Sequence, residues 1–217
     1  MPAVELLLVR HGESTWNAVG RWQGWADPPL SDLGRAQAEA AAPAAGTVDL
    51  VVASDLERAR RTAEIMATAL AAGPVVVEPG VRERDVGEFT GLTRVEIEER
   101  WPGVLGSVNA SIAADGRFGE TAEALNGRVL EALWRQADAS DGSPARATGS
   151  GQARILVVTH GGVVRSLERA LGIEPGPLPN LGGRILTLDL TERTIQAGER
   201  VLLLDPDVVP VTVPGQL

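Results

Sequence analysis

Four short runs of apolar, β-branched residues recur along the chain without the polar alternation of half-exposed strands. They cover residues 4–10, 48–54, 73–79 and 153–159. Continuous apolarity of this length is typical of strands that are covered on both faces, as in a parallel sheet. We therefore predict four buried strands.

The residues between these runs show the apolar spacing of helices. Ser31 is a good N-cap for the first helix, which should end or bend near Pro43. Gly73 is the expected stop of the second helix. The predicted helices run from Ser31 to about Pro43 and over 55–73, 121–137 and 163–172.

The alternation of strands with helices indicates an α/β fold, doubly wound, with a mostly parallel sheet and helices on both faces. No change of composition divides the chain, so we interpret residues 1–217 as a single domain. Residues 139–152 are rich in Gly, Ser and Ala and lack apolar periodicity, which predicts a flexible surface loop. Residues 206–217 carry three prolines and predict an irregular tail.

The chain is acidic, with a formal net charge of -9 and a pI near 4.8. Sequence-independent binding to DNA, RNA or anionic lipid depends on a basic surface, so we expect neither a nucleic acid nor a membrane as a partner. An anionic small molecule would need a locally positive pocket. With 217 residues, 44% of them hydrophobic, the chain can bury one substantial core.

The cysteine count and the first residues narrow the chemistry and the location. There is no cysteine, which excludes disulfides, thiolate zinc sites and thiol nucleophiles. The first apolar run is short, is interrupted by Glu5 and lacks a basic leader, so it fits neither a signal peptide nor a membrane span. We therefore expect cytoplasmic residence.

The chain's two histidines occur in the same local setting. His11 follows the apolar run 4–10 and His160 follows the run 153–159, and each precedes a glycine. In open α/β sheets, ligands bind beyond the carboxyl ends of the strands, where helix N-termini also point. A single histidine in this place can simply end a strand and bond a carbonyl. Two in the same setting predict a shared site.

Four motifs that carry these residues occur along the chain. They are LVRHGEST at 8–15, SDLERARRTA at 54–63, VRERDVGEFTG at 81–91 and VTHGG at 158–162. With these motifs in this order, the chain resembles the histidine phosphatase superfamily, which contains the cofactor-dependent phosphoglycerate mutases and related phosphatases. The resemblance spans residues 4–172 and implies the phosphoglycerate mutase-like fold.

The resemblance implies phosphoryl transfer through a covalent phosphohistidine. His11 matches the nucleophile, and Glu83 matches the acid that protonates the leaving oxygen. Arg10, Arg58 and His160 match groups that hold the transferred phosphoryl group, with His160 acting in its protonated form. Positions matched to substrate or phosphate binding are Asn17, Arg21, Gln23, Gly24 and Gly161.

The resemblance also bears on cofactors and assembly. Its chemistry needs no divalent ion, and two histidines cannot supply the usual spacing of a zinc site. We therefore expect neither a metal nor a cofactor. Relatives often form dimers, so the analogy allows a homodimer.

Each assigned residue has a structural alternative. Arg58 lies beside Arg60 and Arg61 in a predicted helix, and those two are expected to pair with acidic neighbours on a solvated face. Glu83 lies among charged residues, so surface salt bridges are a rival explanation, and Asp85 is the alternative acid. Asn17, Arg21 and Gln23 lie in a candidate substrate loop, residues 16–24, and such a loop can be polar without binding a ligand.

Three activities fit this resemblance. Arg84 and Arg94 match basic residues with which the mutases hold phosphoglycerate. Other features differ from the mutases. A mutase has a tyrosine in place of Val86 and an asparagine in place of Gly162, and residues 104–120 replace a longer insertion that covers its site. A phosphoenzyme open to water is hydrolysed, so we predict a phosphatase acting on a small phosphorylated metabolite. A mutase and a catalytically idle phosphate-binding module are the alternatives.

Overall fold

A computed structural model describes residues 3–106, 117–140 and 152–211. Within them, six strands form one sheet: β1 (Ala3–Arg10), β2 (Leu50–Ala53), β3 (Val76–Val77), β4 (Ala153–Thr159), β5 (Gly182–Asp189) and β6 (Thr194–Leu202). The helices of the same residues are α1 (Asp32–Ala45), α2 (Glu57–Ala69), α3 (Arg94–Arg100), α4 (Ala122–Ser140) and α5 (Gly161–Ala170).

The sheet has the strand order β3-β2-β4-β1-β5-β6. The four strands from β3 to β1 run parallel to their neighbours. Strands β5 and β6 form an antiparallel hairpin that pairs with the free side of β1. The mostly parallel, doubly wound sheet predicted from the sequence is confirmed, but the hairpin was not among the predicted strands.

Successive side chains of β1 enter two different cores. Leu6 and Leu8 pack on one face with apolar residues of α4 and α5. Leu7 and Val9 pack on the other face with residues of α1 and α2. All four side chains are fully buried. The run is continuously apolar because both of its faces are covered by helices.

Two expected details are wrong. Strand β3 is only two residues long, and Val76 and Val77 are 37% and 47% exposed, because the strand lies at the edge of the sheet. Helix α2 ends at Ala69 rather than near Gly73. The left-handed conformation that follows it is taken by Ala71, with φ of 50°.

Helix α1 begins as the sequence predicts. The Ser31 hydroxyl accepts a hydrogen bond from the Gly34 N–H at 3.0 Å, which caps the first turn. The helix ends at Ala45, two residues beyond Pro43. Proline lacks the N–H that would continue the helical pattern, so a helix end close to it is expected.

The predicted loop and tail are only partly described. Helix α4 continues to Ser140, so the first two residues of the loop 139–152 are helical, and residues 141–151 lie outside the described residues. Residues 206–211 form no helix or strand, as predicted, and residues 212–217 are outside. Within the described ranges, no helix combines the length and apolar character needed to cross a bilayer.

Candidate active site

The two histidines meet at the carboxyl ends of β1 and β4. These strands are parallel neighbours, and the His11 N–H donates to the Thr159 carbonyl at 3.0 Å. The ring centroids of His11 and His160 are 5.1 Å apart, with the rings inclined at 65°. The shared location predicted from the two strand ends is therefore what the structure shows.

The His11 ring is buried and held in one tautomer. Its Nδ1 lies 2.6 Å from the carbonyl oxygen of Gly12, so Nδ1 carries the proton and donates it. Its Nε2 then holds the lone pair, which accepts a hydrogen bond from Arg58 Nε at 3.2 Å. Burial, followed by the charges of Arg58 and Arg10, holds the pKa of His11 well below 6.5. The ring is thus neutral at neutral pH, with Nε2 as a nucleophilic atom.

Gly12 is required by a close approach of two backbones. A Cβ at Gly12 would overlap the carbonyl oxygen of Gly34, and a Cβ at Gly34 would overlap the carbonyl oxygen of Glu13. The Gly12 N–H also donates to the Thr62 hydroxyl at 3.1 Å. These contacts hold the segment after β1 against α1 and α2.

Arg58 is fully buried, and all three of its guanidinium nitrogens have acceptors. Besides the bond to His11, Nη1 donates to the Ala26 carbonyl at 2.8 Å and Nη2 donates to the Gly24 carbonyl at 3.0 Å. Burial lowers the pKa of Arg58 to about 10, so it stays charged at neutral pH. Gly24 therefore takes part through its carbonyl, which orients Arg58.

Arg10 is the second buried arginine of the site. Its Nη1 donates to the Leu178 carbonyl at 2.7 Å, while its buried Nε has no hydrogen-bond partner among the described residues. Burial and the charge of Arg165 lower the pKa of Arg10 to about 9. A buried donor without a partner is costly, so this nitrogen is available to bind an acceptor in the site.

His160 is the N-cap residue of α5 and is fully buried. In the described part of the chain, neither of its ring nitrogens has a hydrogen-bond partner. Burial, followed by the charge of Arg58, holds the pKa of His160 well below 6.5. In the free site the ring is therefore neutral and has one N–H to donate, and its protonation during phosphoryl transfer stays a prediction.

Glu83 lies in the irregular segment after the 3₁₀ turn Pro79–Val81. Its two carboxylate oxygens accept the Arg84 N–H at 2.7 Å and the Gly162 N–H at 3.1 Å. A Cβ at Gly162 would overlap this carboxylate, so the glycine makes room for it. Within the described ranges Glu83 makes no ion pair closer than 4 Å, which argues against the surface salt bridges considered from the sequence.

Four arginines surround this one carboxylate. They are Arg10, Arg58, Arg84 and Arg165. Burial lowers the pKa of each arginine, and the charge of Glu83 raises it by a smaller amount. Arg165 was not identified from the sequence. A Cβ added at Gly161 would lie 3.0 Å from Arg165 Nη1 and 3.5 Å from the side chain of Arg10. Both arginine side chains therefore lie beside Gly161. The only sequence signal for Arg165 is its place one turn into the helix that follows His160.

The residues of the predicted substrate loop have different contacts in the structure. Asn17 is buried, and its Nδ2 has no hydrogen-bond partner in the described segments. Its Oδ1 accepts the Ser14 N–H at 3.2 Å, and the Gln23 Oε1 accepts the Ser14 hydroxyl at 2.8 Å. Asn17 thus keeps a donor for a ligand, whereas Gln23 acts by holding the loop.

Arg21 bonds to the segment before α3 and to α3 itself. It donates to the Gly91 carbonyl and forms an ion pair with Glu96 of α3 at 3.0 Å. These bonds anchor the loop against α3, and the expected role of Arg21 in substrate binding stays a prediction.

The structure also shows the contacts of Asp85, Arg60 and Arg61. Asp85 Oδ1 accepts the Gly87 N–H at 2.9 Å and so stabilises a turn. Arg60 and Arg61 both pair with Glu64 on the outer face of α2, as expected from the sequence. In the described ranges, no three His, Asp or Glu side chains are grouped closely enough to hold a metal ion.

Comparison with known proteins gives a family and relatives of named activity. The family model of the histidine phosphatase superfamily (branch 1) matches residues 6–204. A metal-independent phosphoserine phosphatase of Arabidopsis thaliana is 37% identical over 169 residues, which are 75% of this chain and 66% of the relative. A probable phosphoglycerate mutase of Citrobacter koseri is 38% identical over 165 residues, covering 73% and 70% of the two chains.

A solved structure has the same fold. It is a mycobacterial glucosyl-3-phosphoglycerate phosphatase in complex with VO3, with a TM-score of 0.76 and 29% identity. The match covers 91% of this chain and 97% of that chain. Proteins with phosphatase and mutase names thus share this architecture.

Proposed function

Because the chain belongs to the histidine phosphatase superfamily, we propose that it is a metal-independent phosphatase that hydrolyses a small phosphorylated metabolite through a phosphohistidine. The observation that carries this proposal is the neutral ring of His11, 5.1 Å from the ring of His160, in a site with buried donors that have no acceptor among the described residues. Those donors are on Arg10, His160 and Asn17. A phosphoryl group has three equatorial oxygens that such donors would bind.

In the first step of the proposed reaction, His11 Nε2 attacks phosphorus and the bond from phosphorus to the ester oxygen breaks. Arg10 and Arg58 offset the charge of the phosphoryl oxygens. Glu83 gives its proton to the leaving oxygen, so that an alcohol departs rather than an alkoxide. In the second step, water attacks the phosphohistidine, Glu83 takes a proton from that water, and His11 regains its lone pair.

Two positions differ from the mutases and favour hydrolysis over the transfer of phosphate between substrates. Gly162 leaves the space in which the Glu83 carboxylate lies, and the mutases have an asparagine here. Val86 packs in an apolar cluster with Phe89 and Phe118, where the mutases have a tyrosine. The short connection that replaces the mutase insertion has its centre, residues 107–116, outside the described residues.

The charge of the site favours an anionic metabolite with more than one acidic group. Both Arg165 and Arg10 lie beside Gly161, so a second anionic group of the substrate would pair with Arg165 while the phosphate binds Arg10. We assign the additional group to Arg165, which has no hydrogen-bond partner in the described part of the chain. The phosphoserine and glucosyl-3-phosphoglycerate named for the relatives both carry a carboxylate beside the phosphate ester.

A direct assay separates the three activities. The protein is incubated in excess EDTA with p-nitrophenyl phosphate, and separately with 3-phosphoglycerate plus a trace of the bisphosphate. We expect release of inorganic phosphate from both, undiminished by the chelator. Isomerisation of 3-phosphoglycerate without phosphate release would instead indicate a mutase. Silence on a broad panel of phosphorylated metabolites would indicate a binding module.

Residence in the cytoplasm and a homodimer stay predictions. Phosphorylated metabolites are charged and are retained in the compartment where they are made, which is consistent with a cytoplasmic enzyme. Cell fractionation tests the location, and light scattering during gel filtration tests the dimer.

A further inference from the structure

Arg128 of α4 has no place in the chemistry described so far, yet every N–H of its guanidinium is used. Its Nε and Nη2 donate to the two carboxylate oxygens of Glu120, at 2.7 and 2.8 Å. Its Nη1 donates to the carbonyls of Gly80 and Arg82, at 2.9 and 2.8 Å. Its Nη2 also donates to the carbonyl of Glu83 at 2.8 Å. A guanidinium has five N–H donors, and these bonds account for all of them.

Three of the five acceptors lie in the segment that leads to and includes Glu83. Residues 82–86 form neither helix nor strand, so no regular hydrogen-bond ladder fixes this backbone. The carbonyl of Glu83 has a second donor, Trp25 Nε1, at 2.8 Å. Both lone pairs of this oxygen are therefore occupied, and the backbone of Glu83 is held from two sides.

Glu120 extends the same support to the residues after Glu83. Its carbonyl accepts the Arg84 Nε–H at 2.8 Å, and its N–H donates to the Asp85 carbonyl at 3.0 Å. Arg128 and Glu120 are mostly buried, so their ion pair is only weakly screened by water. The start of α4 is thus bonded to the chain on both sides of the carboxyl group.

We propose that Arg128 is a positioning residue for proton transfer, which fixes the backbone of Glu83 so that its carboxyl group meets the leaving oxygen. This inference rests on the proposed role of Glu83 as the acid. A proton is transferred between heavy atoms about 2.6–3.2 Å apart, so a small displacement of the backbone interrupts the transfer. Arg128 does not touch the substrate and acts only through Glu83.

The test compares the first chemical step for two leaving groups. Rapid quench measures the rate of alcohol release from glycerol 3-phosphate, which needs a proton, and from p-nitrophenyl phosphate, which does not. In Arg128→Met we expect the rate for glycerol 3-phosphate to fall at least about tenfold more than the rate for p-nitrophenyl phosphate. A purely structural role would lower both rates equally, because it changes the amount of active enzyme.

Arg135 supplies a matched control on the same helix. It is half exposed and pairs with Glu78, without bonds to residues 82–86. Arg135→Met should therefore leave the ratio of the two rates unchanged. If Arg128→Met does not fold, as judged by circular dichroism, Arg128→Lys and Trp25→Phe replace it. Trp25→Phe removes one donor to the Glu83 carbonyl and should produce the same difference in smaller size.

The outcomes separate this inference from the proposed function. If Glu83→Gln shows the leaving-group difference and the folded Arg128 and Trp25 variants do not, the positioning role is wrong while the acid stands. If Glu83→Gln itself shows no difference, the assignment of the acid is wrong, and the role of Arg128 falls with it. A difference of similar kind in the Glu83, Arg128 and Trp25 variants supports the inference.

Discussion

Arg58 donates a hydrogen bond from Nε to the Nε2 of His11 across 3.2 Å, while the opposite side of the same ring donates to the Gly12 carbonyl. The two bonds are compatible with a single tautomer, in which the lone pair of His11 points at Arg58. A phosphate that approaches this lone pair therefore also approaches the guanidinium that offsets its charge.

Replacement of His11 tests whether that lone pair is the nucleophile. His11→Ala should lower phosphatase turnover at least about a thousandfold, because the covalent route is lost. Its fold should persist, as shown by circular dichroism and thermal melting. In the native enzyme, alkaline quench during turnover with labelled substrate should trap phosphate on the protein that is stable in alkali and is released by acid. Activity of His11→Ala within about tenfold of the native enzyme, or label on a serine, would contradict the assignment.

Arg58→Lys tests the orienting and charge-offsetting role of the guanidinium. Lysine keeps the charge but cannot bond His11 together with the carbonyls of Gly24 and Ala26. We expect kcat to fall about a hundredfold to a thousandfold, the usual cost of one lost transition-state donor. Arg61→Lys, one turn along the same helix and half exposed, is the matched control and should stay within about twofold. Equal rates in the two variants would exclude Arg58 from the chemistry.

The main elements of the site could be predicted because local sequence determines them. Apolar runs that are covered on both faces gave the parallel strands, and the ends of parallel strands meet at one edge. His11 and His160 each follow such a strand directly, so their meeting needed no tertiary information beyond the strand direction. Pairing of Arg60 and Arg61 with Glu64 depends on helical spacing alone, and it was predicted for the same reason.

Residues whose roles depend on distant partners could not be predicted in this way. Arg165 and Arg128 look like ordinary helical arginines, and only the packing of α4 and α5 brings them to Glu83. The ion pair of Arg21 with Glu96 was not predicted, because the two residues are 75 positions apart in sequence. The lowered pKa of His160 in the free site was not predicted, because burial among arginines cannot be read from its neighbours in the chain.

The two buried histidines predict a specific loss of stability in mild acid. Each has a folded-state pKa well below the 6.5 of the unfolded chain, so below pH 6.5 only the unfolded state gains a proton. The free energy of unfolding should therefore fall as pH decreases from 6.5 to 5.5, by up to about 1.4 kcal/mol per pH unit for each histidine. Carboxylates with lowered pKa contribute only at lower pH, nearer 4.

Urea unfolding at several pH values measures this dependence. His160→Asn removes one of the two groups and should reduce the slope between pH 6.5 and 5.5 by about half. A slope that is unchanged in this variant would show that the pKa of His160 is not lowered in the folded protein. Equal stability of the native protein at pH 6.5 and 5.5 would contradict the neutral state of both rings.

The position of Arg165 next to Arg10 predicts a preference among substrates. Arg165→Met should lower kcat/KM for 3-phosphoglycerate about tenfold to a hundredfold, the range expected when a charged hydrogen bond is lost. Glycerol 3-phosphate lacks the carboxylate and serves as the matched substrate, so its kcat/KM should change less than about threefold. Equal loss on both substrates would mean that Arg165 serves the transferred phosphate instead. No loss on either would exclude it from substrate binding.

Glu83→Gln decides whether the acid has been identified. An alkoxide is a poor leaving group and needs a proton as it departs, whereas p-nitrophenolate leaves without one. General acid catalysis is typically worth about a hundredfold to ten-thousandfold, so the first-step rate should fall at least about tenfold more for glycerol 3-phosphate than for p-nitrophenyl phosphate. Steady-state hydrolysis of both should fall, because Glu83 also accepts the proton of water in the second step. Asp85→Asn is the matched control, since its carboxylate caps a turn at Gly87 and should leave the ratio of first-step rates unchanged. If instead Asp85→Asn changes that ratio and Glu83→Gln does not, the acid is Asp85.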